Sequence, residues 1–305
     1  MKTKLLFSLL SFVVITNAQG TWVKKADFPG VSRNLEVSFS IGNKAYVGMG
    51  DKPIKPGKYG TPSNYYVYND FWEYDPAVNI WTQKANYIGG GSQFAVGFSI
   101  NGKGYIGGGQ TGDPMSGAIL YEYSPEANVW VKKKERVNGF TSFDNPFVYK
   151  NTFYAIKVGF RQVITYDPIA DKWGTKEWSK KDVDLDNKYN ALHNTFVLND
   201  KVYVFDVHKK KGIYTTSVFE FNPETLKWIQ KNNFDGMPRY GITTSEKGYL
   251  IRDNDKKLSI FEYDDVSDSW KEKNNSIPFN DISTMFSVVK NIYFLSGNNL
   301  WEFTP

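Results

Sequence analysis

Short apolar segments bounded by turn residues recur along the whole chain, among them Val37-Ser-Phe-Ser-Ile41 and Asn194-Thr-Phe-Val-Leu198. Segments of this length, rich in β-branched and aromatic residues, predict strands rather than helices. A longer unit repeats around them. An aromatic residue followed by Asp-Pro or its equivalent stands seven residues before a Trp at five places: Tyr74 and Trp81, Tyr123 and Trp130, Tyr166 and Trp173, Phe221 and Trp228, Tyr263 and Trp270. This spacing predicts a hairpin. Pro presets the turn and cannot sit in a central strand, and the Asp, Asn or Ser before it bonds back to the backbone. Upstream of each hairpin lies a strand carrying a Tyr, at Tyr46, Tyr105, Tyr154, Tyr203 and Tyr249, with a sixth at Tyr293. With the apolar segment ahead of each Tyr, every unit is four strands, named a, b, c and d from first to last.

The sixth c strand is Leu300-Trp-Glu-Phe-Thr-Pro305, where the chain stops. Its d strand is missing there, and a Trp that no c strand precedes stands at the other end, in Thr21-Trp-Val-Lys-Lys-Ala26. A four-stranded sheet alone leaves edges and a half-buried face, whereas a ring of them buries both faces. The prediction is an all-β, six-bladed propeller whose last blade is closed by the N-terminal strand. It forms one domain over residues 19–305.

Composition fits a fold held by its core. Aromatic residues make up 17% of the chain and Cys is absent, so no disulfide supports it. The first residues are Met1-Lys-Thr-Lys4, followed by an apolar run from Leu5 to Ile15 and then Thr16-Asn17-Ala18-Gln19. That is the pattern of a secretory signal peptide over residues 1–18, cleaved after Ala18, which predicts a secreted or periplasmic protein. The run is too short to span a bilayer, and no later segment is long and apolar enough. The formal charge of +5 is spread along the chain and gives no reason to expect nucleic acid. A monomer without cofactor or metal is expected.

These repeats resemble those of the kelch family. The resemblance is carried by Trp22-Val-Lys-Lys-Ala-Asp-Phe-Pro29, Arg33, Phe39, Tyr46 and Gly48/Gly50, by Gly108-Gly109 in the second unit, and by the aromatic-Asp-Pro hairpins. In the other units the Gly pair is replaced, as by Phe205-Asp206 or Ile251-Arg252. The resemblance covers essentially the whole mature chain and implies the propeller. It leaves function open, because propellers host unrelated activities. The copper-radical oxidases that share the fold need a Cys cross-linked to Tyr, and this chain has no Cys and two His, so that chemistry is excluded. Asp182-Val-Asp184-Leu-Asp186-Asn187 lacks the Gly and Glu that a calcium loop requires.

Alternating strand direction puts the b–c and d–a loops on one face of the ring and the tight a–b and c–d turns on the other. The first face is elaborated. From b-strand Tyr to c-strand aromatic the distance is 28 residues in the first unit and 10 in the last, mapping an insertion to residues 51–69. A second maps to residues 177–190. All five arginines, Arg33, Arg136, Arg161, Arg239 and Arg252, belong to this face. Two roles fit them: a planar fork for an anionic ligand such as an acidic sugar, or ties between neighbouring blades. Tyr59, Tyr65 and Tyr66 of the first insertion fit stacking on sugar rings or packing of the loop. The main functional expectation is a binding or interaction propeller for an extracytoplasmic glycan or protein. The alternative is an isomerase, since some kelch propellers of the bacterial periplasm are sialic acid mutarotases. For that activity Glu36, Asp144 and His193 are the acid–base candidates by loop position. A third reading is a structural component of a surface assembly.

Overall fold

The computed structural model describes residues 20–54, 65–91, 94–109, 119–136, 140–141, 144–185, 195–254, 257–274 and 277–305. The signal-peptide segment, Tyr59 and His193 lie outside the described residues. Six four-stranded antiparallel sheets form a propeller, and strand order follows the chain from a to d in five of them. The a strands are Val37–Ile41, Val96–Ile100, Pro146–Tyr149, Thr195–Leu198, Pro238–Thr243 and Thr284–Val288. They pack side by side around the axis and line a central channel of about 480 Å³. Hydroxyls stitch some neighbours together. Ser38 Oγ lies 2.8 Å from Thr284 Oγ1, Ser40 Oγ donates to the Ser287 carbonyl at 2.6 Å, and Thr195 Oγ1 donates to the Pro146 carbonyl at 3.0 Å. No helix among the described residues is long and apolar enough to cross a membrane.

The last blade is closed by the other end of the chain. Thr21–Lys24 pairs antiparallel with the c strand Asn299–Thr304, with Trp22 opposite Phe303. The predicted turn chemistry is present: Asp75, Asp167, Asn222 and Asp264 each accept a hydrogen bond from the backbone N–H two residues on. Each b-strand Tyr sits in the core. Tyr46, Tyr105, Tyr249 and Tyr293 donate to the c-strand glutamates Glu73, Glu122, Glu262 and Glu302 opposite them. Those carboxylates are met on their other side by Lys44, Lys133, Lys273 and Lys25.

The repeated Trp has a second task that its spacing did not reveal. Trp81, Trp130 and Trp173 reach across to the preceding blade and donate to the carbonyls of Ala26, Ala85 and Lys134. The N–H groups of the same three residues donate to Asn79, Asn128 and Asp171, which stand two residues before each Trp in the left-handed conformation. Those Asn and Asp side chains also accept the hydroxyl of the c-strand Tyr. One residue of each preceding blade is therefore held at both N–H and carbonyl. The device is incomplete elsewhere: Leu226 replaces the Asn or Asp before Trp228, and the buried Nε1 groups of Trp228, Trp270 and Trp22 have no partner among the described residues. Replacing Asn128 by Ala removes two hydrogen bonds and a side chain suited to φ 55°. A loss of about 2–3 kcal/mol in urea unfolding is expected, whereas a change under about 0.5 kcal/mol would deny the clasp any role in stability.

Candidate functional site

Side chains alternate across a strand, so the residue just before each a strand belongs to the same set as the second and fourth residues that line the channel. On blades one, two and six these residues are Glu36, Ala95 and Ser283, whereas Asp144 stands two residues before its a strand and Arg239 is the second residue of its own. Glu36, Ala95 and Ser283 line the channel at one mouth, on the face of the b–c and d–a loops. The backbone enters this rim under constraint. Leu35 and Phe94, immediately ahead of Glu36 and Ala95, have φ of 58° and 57°, which non-glycine residues seldom adopt. Such outliers cluster at ligand-handling positions.

Glu36 is the chemically unusual group of the rim. It is 7% exposed, and neither carboxylate oxygen has a hydrogen-bond partner among the described residues. Burial pushes its pKa up to about 8, against the lowering effects of a backbone N–H, the Arg33 charge and the nearby Ser283 hydroxyl. The neighbouring Asp51 adds to the rise. Glu36 therefore holds its proton at neutral pH. Burial also raises Asp144, although the Thr141 N–H donates to it at 2.8 Å and Lys157 stands 4.0 Å away. Tyr240, between blades five and six, donates to the Ile282 carbonyl at 3.0 Å. Glu36 thus brings a protonated carboxyl to the channel wall, while Asp144 stands outside the channel lining.

The arginines do not converge on the channel. Arg33 has a fully buried side chain that grips Asp70 with both terminal nitrogens and donates to the Val31 and Met49 carbonyls. Tyr68 stacks 4.1 Å from its guanidinium. Burial alone would raise Asp70, but the Arg33 and Trp72 hydrogen bonds outweigh it and hold the carboxyl below its ordinary value. Arg33 thus fixes the d–a loop to the b–c loop of the first blade, the tie that was one of its two expected roles. Arg239 bridges Asp253 at 3.0 Å and Asp281 at 3.1 Å. Arg252, inside the b strand Gly248–Asn254, lies 4.5 Å from the Phe261 ring and donates to the Asp235 carbonyl at 3.2 Å. Arg136 is half-buried, reaches Thr175 Oγ1 at 3.3 Å and lies near Asp144. Only Arg161 is exposed with no acidic partner among the described residues.

The insertions around the mouth take defined shapes. In blade one, Asp51–Pro53 pairs with Tyr65–Val67 as a two-stranded ribbon, with Tyr65 half-buried and Tyr66 60% exposed. In the second insertion, Trp178 is buried against Trp228 with ring centroids 5.5 Å apart. Blade four carries a feature that loop length alone did not disclose. Its b and c strands, Lys201–Lys210 and Ile213–Asn222, run ten residues each and stand out from the face as a finger.

Fold and rim together define a class: a six-bladed, four-stranded β-propeller whose elaborated loops surround one mouth of an axial channel. Among solved structures, that of YjhT is similar, with a TM-score of 0.60 and 14% identity over 90% of this chain and 94% of that one. At such identity the likeness concerns the fold. No family model matches the chain, and no curated protein matches it either. The kelch resemblance accordingly rests on the repeat residues and the propeller they build.

Proposed function

We propose that the chain is an extracytoplasmic binding propeller that takes a glycan on the b–c/d–a face, above the channel mouth. The observation that carries this reading is the ribbon of blade one, which holds the exposed Tyr66 beside a rim containing the unpartnered Glu36 carboxyl. A rigid scaffold carrying an exposed aromatic next to buried polar groups is suited to a ring with hydroxyls. Screening the mature protein on a glycan array is the direct test, followed by calorimetry on any hit. Tyr66→Ala is expected to weaken binding about tenfold, the loss of one stacking contact. Absence of any glycan ligand would overturn the reading in favour of a protein partner.

A second reading is favoured by one feature. Glu36 keeps a proton at neutral pH and lines the channel, a group fit for giving a proton to a sugar ring oxygen and taking it back. Sugar mutarotation needs little more. The arginine arrangement weakens the choice of an acidic sugar, since Arg33, Arg239 and Arg252 are engaged within the protein. NMR exchange between the anomers of N-acetylneuraminic acid and of neutral sugars decides it. A rate increase lost in Glu36→Gln supports an enzyme, and none with any sugar leaves the binder.

A further inference from the structure

The finger of blade four is stiff, basic and apolar at its tip. Its strands pair without interruption from Val202 opposite Phe221 out to Lys210 opposite Ile213. The turn is closed by Lys211 and Gly212, with φ of 50° and 86°, the geometry that a tight two-residue hairpin demands. The root is anchored: Val207 and Thr216 are fully buried, and Thr216 Oγ1 donates to the Gly236 carbonyl at 2.7 Å. Beyond that root Lys209, Lys210 and Lys211 are exposed, and Ile213 is 66% exposed. Lys209 leans over Tyr214, 4.5 Å from the ring. No acidic residue occurs between Val207 and Phe219. At the root stand Asp206, buried beside His208, and Asp235 opposite Thr215.

The neighbouring b–c turn of blade three carries the same combination. Val158–Phe160 forms one turn of 3₁₀ helix, with Phe160 72% exposed and Arg161 exposed after it. Lys157 stands 5.7 Å from the Phe160 ring. The roots of the two loops share a core, where Val158 packs in one cluster with Val202 and Val204.

We propose that the blade-four finger and this blade-three turn form a docking point for an anionic lipid bilayer. Charge selects an anionic partner, because Lys210, Lys211 and Arg161 have no acidic partner among the described residues. Shape selects the bilayer over a folded protein. Isolated apolar side chains on two protruding tips offer far less than the roughly 800 Å² per partner that a stable protein interface buries. A headgroup layer, by contrast, admits a Phe and an Ile while the surrounding cations stay among the phosphates.

The test is flotation of the mature chain with vesicles of phosphatidylcholine containing about one third phosphatidylglycerol, and with pure phosphatidylcholine vesicles. Binding is expected only to the anionic vesicles and to weaken as salt rises. Lys210→Gln with Lys211→Gln, and separately Phe160→Ser with Ile213→Ser, should each weaken it about tenfold or more. All four positions are exposed, so unchanged thermal melting would show these variants folded. Failure of the wild-type chain to float, or flotation that both double variants leave unchanged, would overturn the proposal. So would a loss confined to the lysine variant together with equal retention of all forms but that one on a soluble polyanion such as dextran sulfate, which would assign the finger to a polyanion.

Discussion

A chain lacking residues 20–27 is expected to lose cooperative folding at ambient temperature. The removed segment supplies the whole outer strand of the sixth blade and one side of the seam to the first. Trp22 alone packs 4.8 Å from Phe303, 5.3 Å from Phe294 and 5.5 Å from Phe279, measured between ring centroids. Removing a core Trp side chain costs about 3–5 kcal/mol. The deletion takes in addition the four paired residues of the strand, the Lys25–Glu302 bridge and the Ala26 that Trp81 and Asn79 hold. The sum rivals the 5–15 kcal/mol by which whole domains are stable. Circular dichroism melting checks it, with Trp22→Ala as an intermediate case. A synthetic peptide of residues 20–28 should restore the melt in a concentration-dependent way, by mass action on the vacant edge. A deletion variant melting within about 2 °C of the intact chain would mean that the ring does not depend on this closure.

The second large effect concerns Glu36. Its carboxyl titrates at about 8 in the folded chain against 4.5 ordinarily. Between those values the unfolded chain has released the proton and the folded chain retains it. Folding stability therefore falls as pH rises through this window, by about 1.4 kcal/mol per pH unit and up to about 5 kcal/mol in all. Glu36→Gln keeps the shape and removes the charge. Its melting temperature should follow the wild type near pH 4.5 and exceed it near pH 8, by about 5–10 °C for a chain of this size. Parallel melting curves across that range would show that Glu36 is not held neutral. A stabilising change at a polar rim residue would also mark a site where stability gives way to function.

The sequence alone was enough to predict the ring, because its repeat is written in residues that act locally. Asp-Pro sets a turn, Tyr and Trp fill one blade each, and a missing strand at one end finds its match at the other. The site was legible only in part. Glu36, Asp144 and Arg239 were named by loop position, but only Glu36 proves to stand immediately before an a strand and to line the channel. Whether a rim residue is paired depends on partners distant in sequence, such as Asp70 for Arg33, 37 positions away, and no local pattern encodes that. The Trp clasp was hidden for the same reason, since Trp130 finds its carbonyl 45 positions away at Ala85. The finger went unseen because residue spacing measures the length of a loop and not whether its strands stay paired to the tip.

The pairing of Trp22 with Phe303 has a further consequence, for time rather than for stability. Five blades are each assembled from a continuous stretch of chain, so their contacts can form as soon as that stretch exists. The sixth must join two segments 281 positions apart, and contacts of such separation form slowly, because the intervening chain has to be brought together first. Until that encounter the a, b and c strands of the last blade present an open edge, which is a template for another chain's strand. Refolding should therefore show a late phase reported by the environment of Trp22, and that phase is the interval in which this protein is most exposed to pairing with a copy of itself.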